Sequence, residues 1–165
     1  SLMNFSHAGN HSTEREPVDI KACVDDAMSL LKLSKRNDPY RFINECQDEA
    51  IVIGDMQRLV QVFINLLSNA RDASPAGGEI HIETHCLPNV IQINVTDQGH
   101  GIPTELIERV FEPFYTTKDV GKGTGLGLSL VYSIIEEHYG QVQIISPVKN
   151  KIGTCVKVTL PRYVD

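Results

Sequence analysis

The chain has no tryptophan, and aromatic residues fill only 6% of its 165 positions. Positive charge is also scarce: 15 Lys and Arg stand against 21 Asp and Glu, a net charge of −6. A basic surface with interleaved aromatics, the footprint of a nucleic-acid binder, is therefore missing. No apolar run approaches the ~18 residues needed to cross a bilayer, so no membrane contact is expected. The opening residues, SLMNFSHAGN, lack the basic start and apolar stretch of a secretory signal. Cys23, Cys46, Cys86 and Cys155 form no CxxC pair. That argues against a zinc site or a redox motif. It favours small core residues in a reducing, cytoplasmic setting. No HExxH occurs among the six histidines. His81 and His85 are four apart in a strand-like stretch, where that spacing does not join them. All six read as ordinary polar residues.

What remains is one domain's worth of soluble, globular sequence. Residues 15–20 suggest a short strand leading into a helix capped by Asp19. Ile20, Val24, Ala27, Met28, Leu31 and Leu33 mark that helix, which Asn37-Asp38-Pro39 ends. Strands are expected over 40–46 and 50–53. Asp55 then caps a helix in which Leu59, Val62, Phe63, Leu66, Leu67, Ala70 and Ala73 recur at helical spacing. SPAGG at 74–78 stops it. EIHIETHC and NVIQINVTD alternate apolar and polar residues across a short turn, as a hairpin does. Pro103 fits the first position of a short helix reaching Val110. A further helix runs from about Leu126 to His138, with Leu130, Val131, Ile134 and Ile135 buried and Gly140 as its C′ residue. Strands over 141–145 and 154–160 close the chain. Alternating helices and strands with late hairpins predict an α/β two-layer sandwich, one sheet backed by helices on one face.

Four stretches carry chemistry. In QVFINLLSNARDAS, Asn65 and Asn69 lie one turn apart with Asp72 a turn further on, at the border of the apolar face. Asparagine is a poor helix former, but its carboxamide oxygen is a hard ligand suited to Mg²⁺. In DQGHG, Asp97 ends a strand and could accept a hydrogen bond from an exocyclic amine. Gly99 and Gly101 would let backbone approach a flat ring. Phe111 and Phe114 of FEPF could anchor the root of a flexible segment, whose Lys118 and Lys122 could reach a terminal phosphate. Gly121, Gly123, Gly125 and Gly127 surround Thr124 and precede a helix, the arrangement of a phosphate cradle. This is neither a Walker loop nor a dinucleotide fingerprint.

In this order, the four stretches resemble the N, G1, F and G2 boxes of the histidine-kinase catalytic and ATP-binding domain, in the GHKL ATPase superfamily. The boxes are NLLSNARDA, DQGHG, FEPF followed by TTK, and GTGLGL. The resemblance implies a Bergerat fold: a mixed, mostly antiparallel sheet, helices on one face and a flexible ATP lid. It implies ATP and Mg²⁺, with Asn69 as the metal ligand. Asp97 would hold the adenine amine, with Gly99, Gly101 and Ile102 around the ring and Thr154 nearby. Thr116, Thr117 and Lys118 begin the lid, which runs to Lys122. Gly123, Thr124, Gly125, Leu126, Gly127 and Leu128 would hold phosphates at the helix start. Asn65 and Lys118 are placed beside the transferred group, and Asp72 completes the ATP-binding set.

Hydrolysing members of the superfamily carry Glu where this chain has Asn65, and an amide cannot serve as a general base near pH 7. The resemblance is therefore to a phosphoryl-transfer module that needs an outside nucleophile. Asp72 stands where many sensor kinases have Lys, and the short TTK lid resembles the nitrogen-regulation type. None of the six histidines precedes Asp or Glu, as the phosphoacceptor usually does. The acceptor is thus expected upstream, on a dimerisation domain whose last helix leaves a remnant in residues 1–13. Residues 14–165 form the catalytic domain, and this piece alone would be monomeric. A response regulator is the partner expected of the full-length system. A protein-serine kinase acting as an anti-sigma module and a degenerate nucleotide-sensing scaffold are the rival expectations.

Overall fold

The computed structural model describes residues 15–34, 41–74, 77–99, 127–145 and 153–163. In chain order the elements are β1 (Glu16–Asp19), α1 (Ile20–Ser34), β2 (Arg41–Glu45), β3 (Ile51–Gly54), α2 (Met56–Ala73), β4 (Glu79–Cys86), β5 (Val90–Asp97), α3 (Gly127–Glu137), β6 (Gln141–Ile145) and β7 (Thr154–Pro161). The expected helix over 103–110, the FEPF anchor, the lid and the remnant at 1–13 lie outside the described residues.

Both longer helices begin where their caps predict. The Asp19 carboxylate accepts the Lys21 N–H at 2.9 Å. Asp55 accepts the N–H groups of Gln57 and Arg58 at the start of α2, satisfying donors that the first turn leaves open. The periodic apolar residues then turn inward. Ile20, Val24, Ala27 and Leu31 of α1 are buried, as are Leu59, Val62, Phe63, Leu66 and Leu67 of α2. Each such Leu, Ile or Phe contributes about 1.5–3 kcal/mol by leaving water.

The main sheet has the order β2-β4-β5-β7-β6. Only β2 and β4 run parallel; the other neighbours are antiparallel. Ile80 and Ile82 of β4, Ile91, Ile93 and Val95 of β5, and Val158 and Leu160 of β7 are buried against the helices. Strand alternation sends Glu79, His81, Gln92, Asn94 and Lys157 to the other face. This is the mixed, mostly antiparallel two-layer architecture expected. It gains a ribbon of β1 and β3, paired antiparallel. The ribbon joins the N-terminal end of α1 to that of α2, because β1 runs straight into α1 and β3 into α2.

Two details at α3 correct the sequence reading. Leu130 is 37% exposed, while Val131, Ile134 and Ile135 are buried. Leu130 has the right residue type but sits one position off the inward stripe. At the end of α3, Tyr139 and not Gly140 takes the left-handed conformation, with φ 64°. The Tyr139 N–H bonds to Glu136 O at 3.0 Å and the Gly140 N–H to Ile135 O at 2.9 Å. That is a Schellman motif with Tyr139 at C′ and Gly140 at C″. Gly140 is required for a different reason: a Cβ there would lie 2.3 Å from the Thr159 carbonyl oxygen.

Candidate functional site

The site forms around α2, whose two flanks differ. Arg58, Asn65 and Asn69 are spaced by seven and four residues. At ~100° per residue they fall within about 40° of one another on the helix surface. Arg58 pairs with Glu137 of α3, so α3 packs on the flank that carries both asparagines. Met56, Val60 and Ile64 occupy the opposite flank and line a groove that includes Leu30 of α1. Asn65 and Asn69 are half-buried and Asp72 is exposed. Asp72 lies 3.6 Å from Arg71 Nε. The α3 helix starts at Gly127, and Leu128 packs partly on the core.

The C-terminal end of α2 meets the turn after β5. A Cβ on Gly99 would lie 2.2 Å from the Ala73 carbonyl oxygen and 2.7 Å from its carbon. Only glycine permits this approach, which sets the turn one helical turn beyond Asn69. Buried Asp97 is held at the same place. Its Oδ1 accepts the Gly99 N–H at 2.8 Å and the Thr154 N–H at 3.2 Å. Gly153, with φ 86°, donates its N–H to Gly99 O at 2.8 Å. Asp97 and Thr154 are also register partners in the β5–β7 ladder. Asp97, Gly99 and Thr154, separated by up to 57 positions in sequence, thus form one cluster beside the asparagine helix. Gly101, Ile102, Thr116, Thr117, Lys118, Gly123, Thr124, Gly125 and Leu126 lie outside the described residues.

Among the described residues, no cluster of three His, Cys, Asp or Glu could hold a metal ion. A bare protein cage for a cation is therefore not built from them. The donor chemistry does fit Mg²⁺, which usually keeps waters and phosphate oxygens and takes few protein ligands. The Asn69 carboxamide oxygen is a donor of that kind.

The histidine reading needs one correction. His138 is a buried structural group, not an ordinary polar one. Its Nε2 lies 3.1 Å from the Asp55 N–H and its Nδ1 2.8 Å from Ile134 O. Nε2 must accept and Nδ1 must donate, so the ring is the neutral Nδ1–H tautomer. Burial is the main cause that lowers its pKa; the Ile134 carbonyl opposes and Arg15 assists. A single sequence signalled this only weakly, through a histidine four residues after buried Ile134. Cys23, Cys46 and Cys155 are buried, as expected of core residues, and Cys86 packs partly on the core. Burial foremost pushes the Cys23 and Cys46 thiols up to about 12, which keeps them protonated and inert.

Sheet order, helix layer and site position together define an α/β domain of the Bergerat type. The model of the family described as histidine kinase-, DNA gyrase B- and HSP90-like ATPase matches residues 54–164. The chain belongs to this ATPase family. Sensor kinase CckA of Brucella abortus (strain 2308) is 38% identical over 99% of the chain, which covers 18% of that protein. Sporulation kinase A of Bacillus subtilis (strain 168) is 34% identical over 90% of the chain, which covers 24% of it. The chain thus spans less than a quarter of either relative. The mycobacterial sensor histidine kinase MprB superposes with a TM-score of 0.81 at 29% identity, over 92% of this chain and 99% of that one. The catalytic domain of histidine kinase ThkA superposes with a TM-score of 0.78 at 30% identity, over 90% and 98%. ThkA is also known in complex with the response regulator TrrA. Among the described residues, no helix is long and apolar enough to cross a membrane.

Proposed function

We propose that the chain is the catalytic half of a sensor histidine kinase. It binds Mg-ATP and delivers the γ-phosphoryl group to a histidine on upstream dimerisation helices. The bond between the γ-phosphorus and its bridging oxygen breaks, a phosphorus–nitrogen bond forms on the acceptor imidazole, and ADP leaves. Residues 14–165 make up the catalytic domain, and residues 1–13 are the remnant of the dimerisation helix and its linker. A response regulator takes the phosphoryl group next. The domain works in the cytoplasm and is monomeric on its own.

The observation that carries this reading is the convergence at the second half of α2. Asn69 lies on the flank facing α3, and the Gly99 turn is pressed on Ala73 one turn away. An α3 of eleven residues is about 16 Å long. From the Arg58–Glu137 pair, a helix of that length reaches the level of Asn69 on an antiparallel course, which is the course this reading assigns to α3. That leaves adenine to Asp97, with Gly99, Gly101, Ile102 and Thr154 around it. Asn69 ligates Mg²⁺. Gly123 to Leu128, up to and including the start of α3, hold phosphates, and Thr116, Thr117 and Lys118 contact them. Asp72 completes the nucleotide-binding set. With Asn65 in place of a carboxylate base, water is not activated and the phosphoryl group waits for an imidazole.

Isothermal titration with Mg-ATP is the direct test. Micromolar to submillimolar binding that requires Mg²⁺ is expected, with little hydrolysis. Asp97→Asn keeps the oxygen that receives the two backbone N–H groups but replaces an acceptor by a donor. It should weaken binding at least tenfold with little change in unfolding temperature. Absence of heat at millimolar nucleotide, or an unchanged affinity in Asp97→Asn, would overturn the assignment.

A further inference from the structure

Gln61 lies just before the NLLSNARDA box of α2, yet it touches it. Its Nε2 donates to Asn65 Oδ1 at 3.1 Å. The two residues are one turn apart, so the bond costs no backbone distortion. A carboxamide is planar and has distinct edges: one oxygen that only accepts, one NH₂ that only donates. Engaging the oxygen with an outside donor decides which edge is presented elsewhere.

We infer that Gln61 is a positioning residue for Asn65. It holds the Asn65 oxygen on the solvent side of α2 and turns the NH₂ edge toward the flank shared with Asn69 and α3. This deepens the nucleotide reading above and rests on it. The two asparagines then have opposite tasks. Asn69 offers oxygen to the cation, and Asn65 offers N–H to a phosphate oxygen. Were Asn65 turned the other way, its oxygen would face anionic phosphates and repel them. A donor matched to phosphate is favourable because the acceptor is charged. The bland alternative is a surface pair that only steadies the helix, worth a few tenths of a kcal/mol.

Gln61→Met tests the difference. Methionine keeps the length, the flexibility and the helix propensity but has no donor. Binding of Mg-ATP and of AMP is measured calorimetrically for the parent, Gln61→Met, Asn65→Ala and the double variant, together with unfolding temperature. The expected result is a three- to tenfold loss of Mg-ATP affinity in Gln61→Met. AMP affinity and unfolding temperature should stay within error. On the Asn65→Ala background, Gln61→Met should have no further effect. Equal Mg-ATP affinity in parent and Gln61→Met would overturn the inference alone. So would a loss that AMP shares, or one that adds in full to Asn65→Ala. A parent that binds no Mg-ATP would overturn the nucleotide reading and this inference together.

Discussion

The two ends of α2 are built alike and serve different purposes. At the C-terminal end, buried Asp97 accepts two backbone N–H groups, and Gly99 lets the chain approach Ala73. At the N-terminal end, buried His138 faces the Asp55 N–H, and Gly54 leaves room for its ring. Each junction thus pairs one buried polar side chain with one glycine whose Cβ has nowhere to go. The first gathers residues proposed to bind nucleotide. The second joins α2 to α3 and to the incoming chain. There Arg15 bonds to Glu137 O at 2.7 Å and lies over the Tyr139 ring. A buried polar group with well-placed partners is therefore not by itself a mark of a ligand site. What distinguishes the first junction is its neighbour, the asparagine pair one and two turns away along α2.

Adding a methyl group to each glycine should separate the two junctions most strongly. In Gly99→Ala the new Cβ meets backbone, the Ala73 oxygen at 2.2 Å, which cannot move without shifting α2. A loss of about 3 kcal/mol is expected, at the upper end of overpacking costs, along with nucleotide affinity. In Gly54→Ala the Cβ meets His138 Cδ2 and Nε2 at 2.4 and 2.6 Å. A side chain can tilt, so about 1–2 kcal/mol should be lost while nucleotide affinity survives. Urea unfolding and calorimetry of the two variants check this. A Gly54→Ala protein that binds no nucleotide would mean the two junctions are not separable.

The contrast also explains how much was legible beforehand. Asp97 could be read because a carboxylate ending a strand before Gly-x-Gly is a local pattern, and Asp55 because a cap sits next to its helix. The paired asparagines could be read because they break helix preference in a strongly periodic stretch. Thr154's place near the adenine is implied only by family likeness, and its bond to Asp97 not at all, since β-pairing across 57 residues leaves no local trace. His138 was misread for the same reason: its partner Asp55 is 83 positions away. Gly140 was assigned the wrong cap position because glycine is the usual left-handed residue, whereas here packing against Thr159 claimed it and Tyr139 took the strain. Leu130 was misplaced because a helical stripe has soft edges. Periodicity fixes which side is apolar, not how much each border residue is covered.

A pH titration sets the His138 junction apart from the rest of the molecule. Its folded pKa is lowered, chiefly by burial. Below about pH 6.5, where an unfolded imidazole takes up a proton, the unfolded chain binds more protons than the folded one. Stability then rises with pH. The contribution is complete above pH 6.5 and is lost as pH falls through the folded value. The charged groups around this cluster are Arg15, Asp55 and Glu137, with Arg58 paired to Glu137. Protonation would also place N–H against N–H, at Nε2 facing Asp55. His138→Gln should be less stable than the parent at pH 7.5, by about 1–2 kcal/mol for a buried hydrogen-bonded group. The gap should narrow toward pH 5. Parallel stability curves for the two proteins would remove the neutral-ring assignment.

The smallest effect belongs to a histidine at neither end of α2. His81 lies on the outer sheet face, with Nδ1 3.3 Å from Glu45 and Nε2 3.1 Å from Glu79. Burial lowers its pKa, but the bonds to Glu45 and Glu79 and their charges outweigh that, and the net shift is upward. The sign therefore reverses. Its contribution is full below about pH 6.5 and fades as pH rises through the folded value. Its side chain is 39% exposed, so solvent screens the pairs and a few tenths of a kcal/mol is the expected size. In unfolding curves, His81→Gln should differ from the parent slightly at pH 5.5 and not at pH 8, and 0.5 M salt should erase the difference. A slope of His138 size in this variant would mean that the main pH response sits on the β2–β4 pairing at the sheet edge, away from α2.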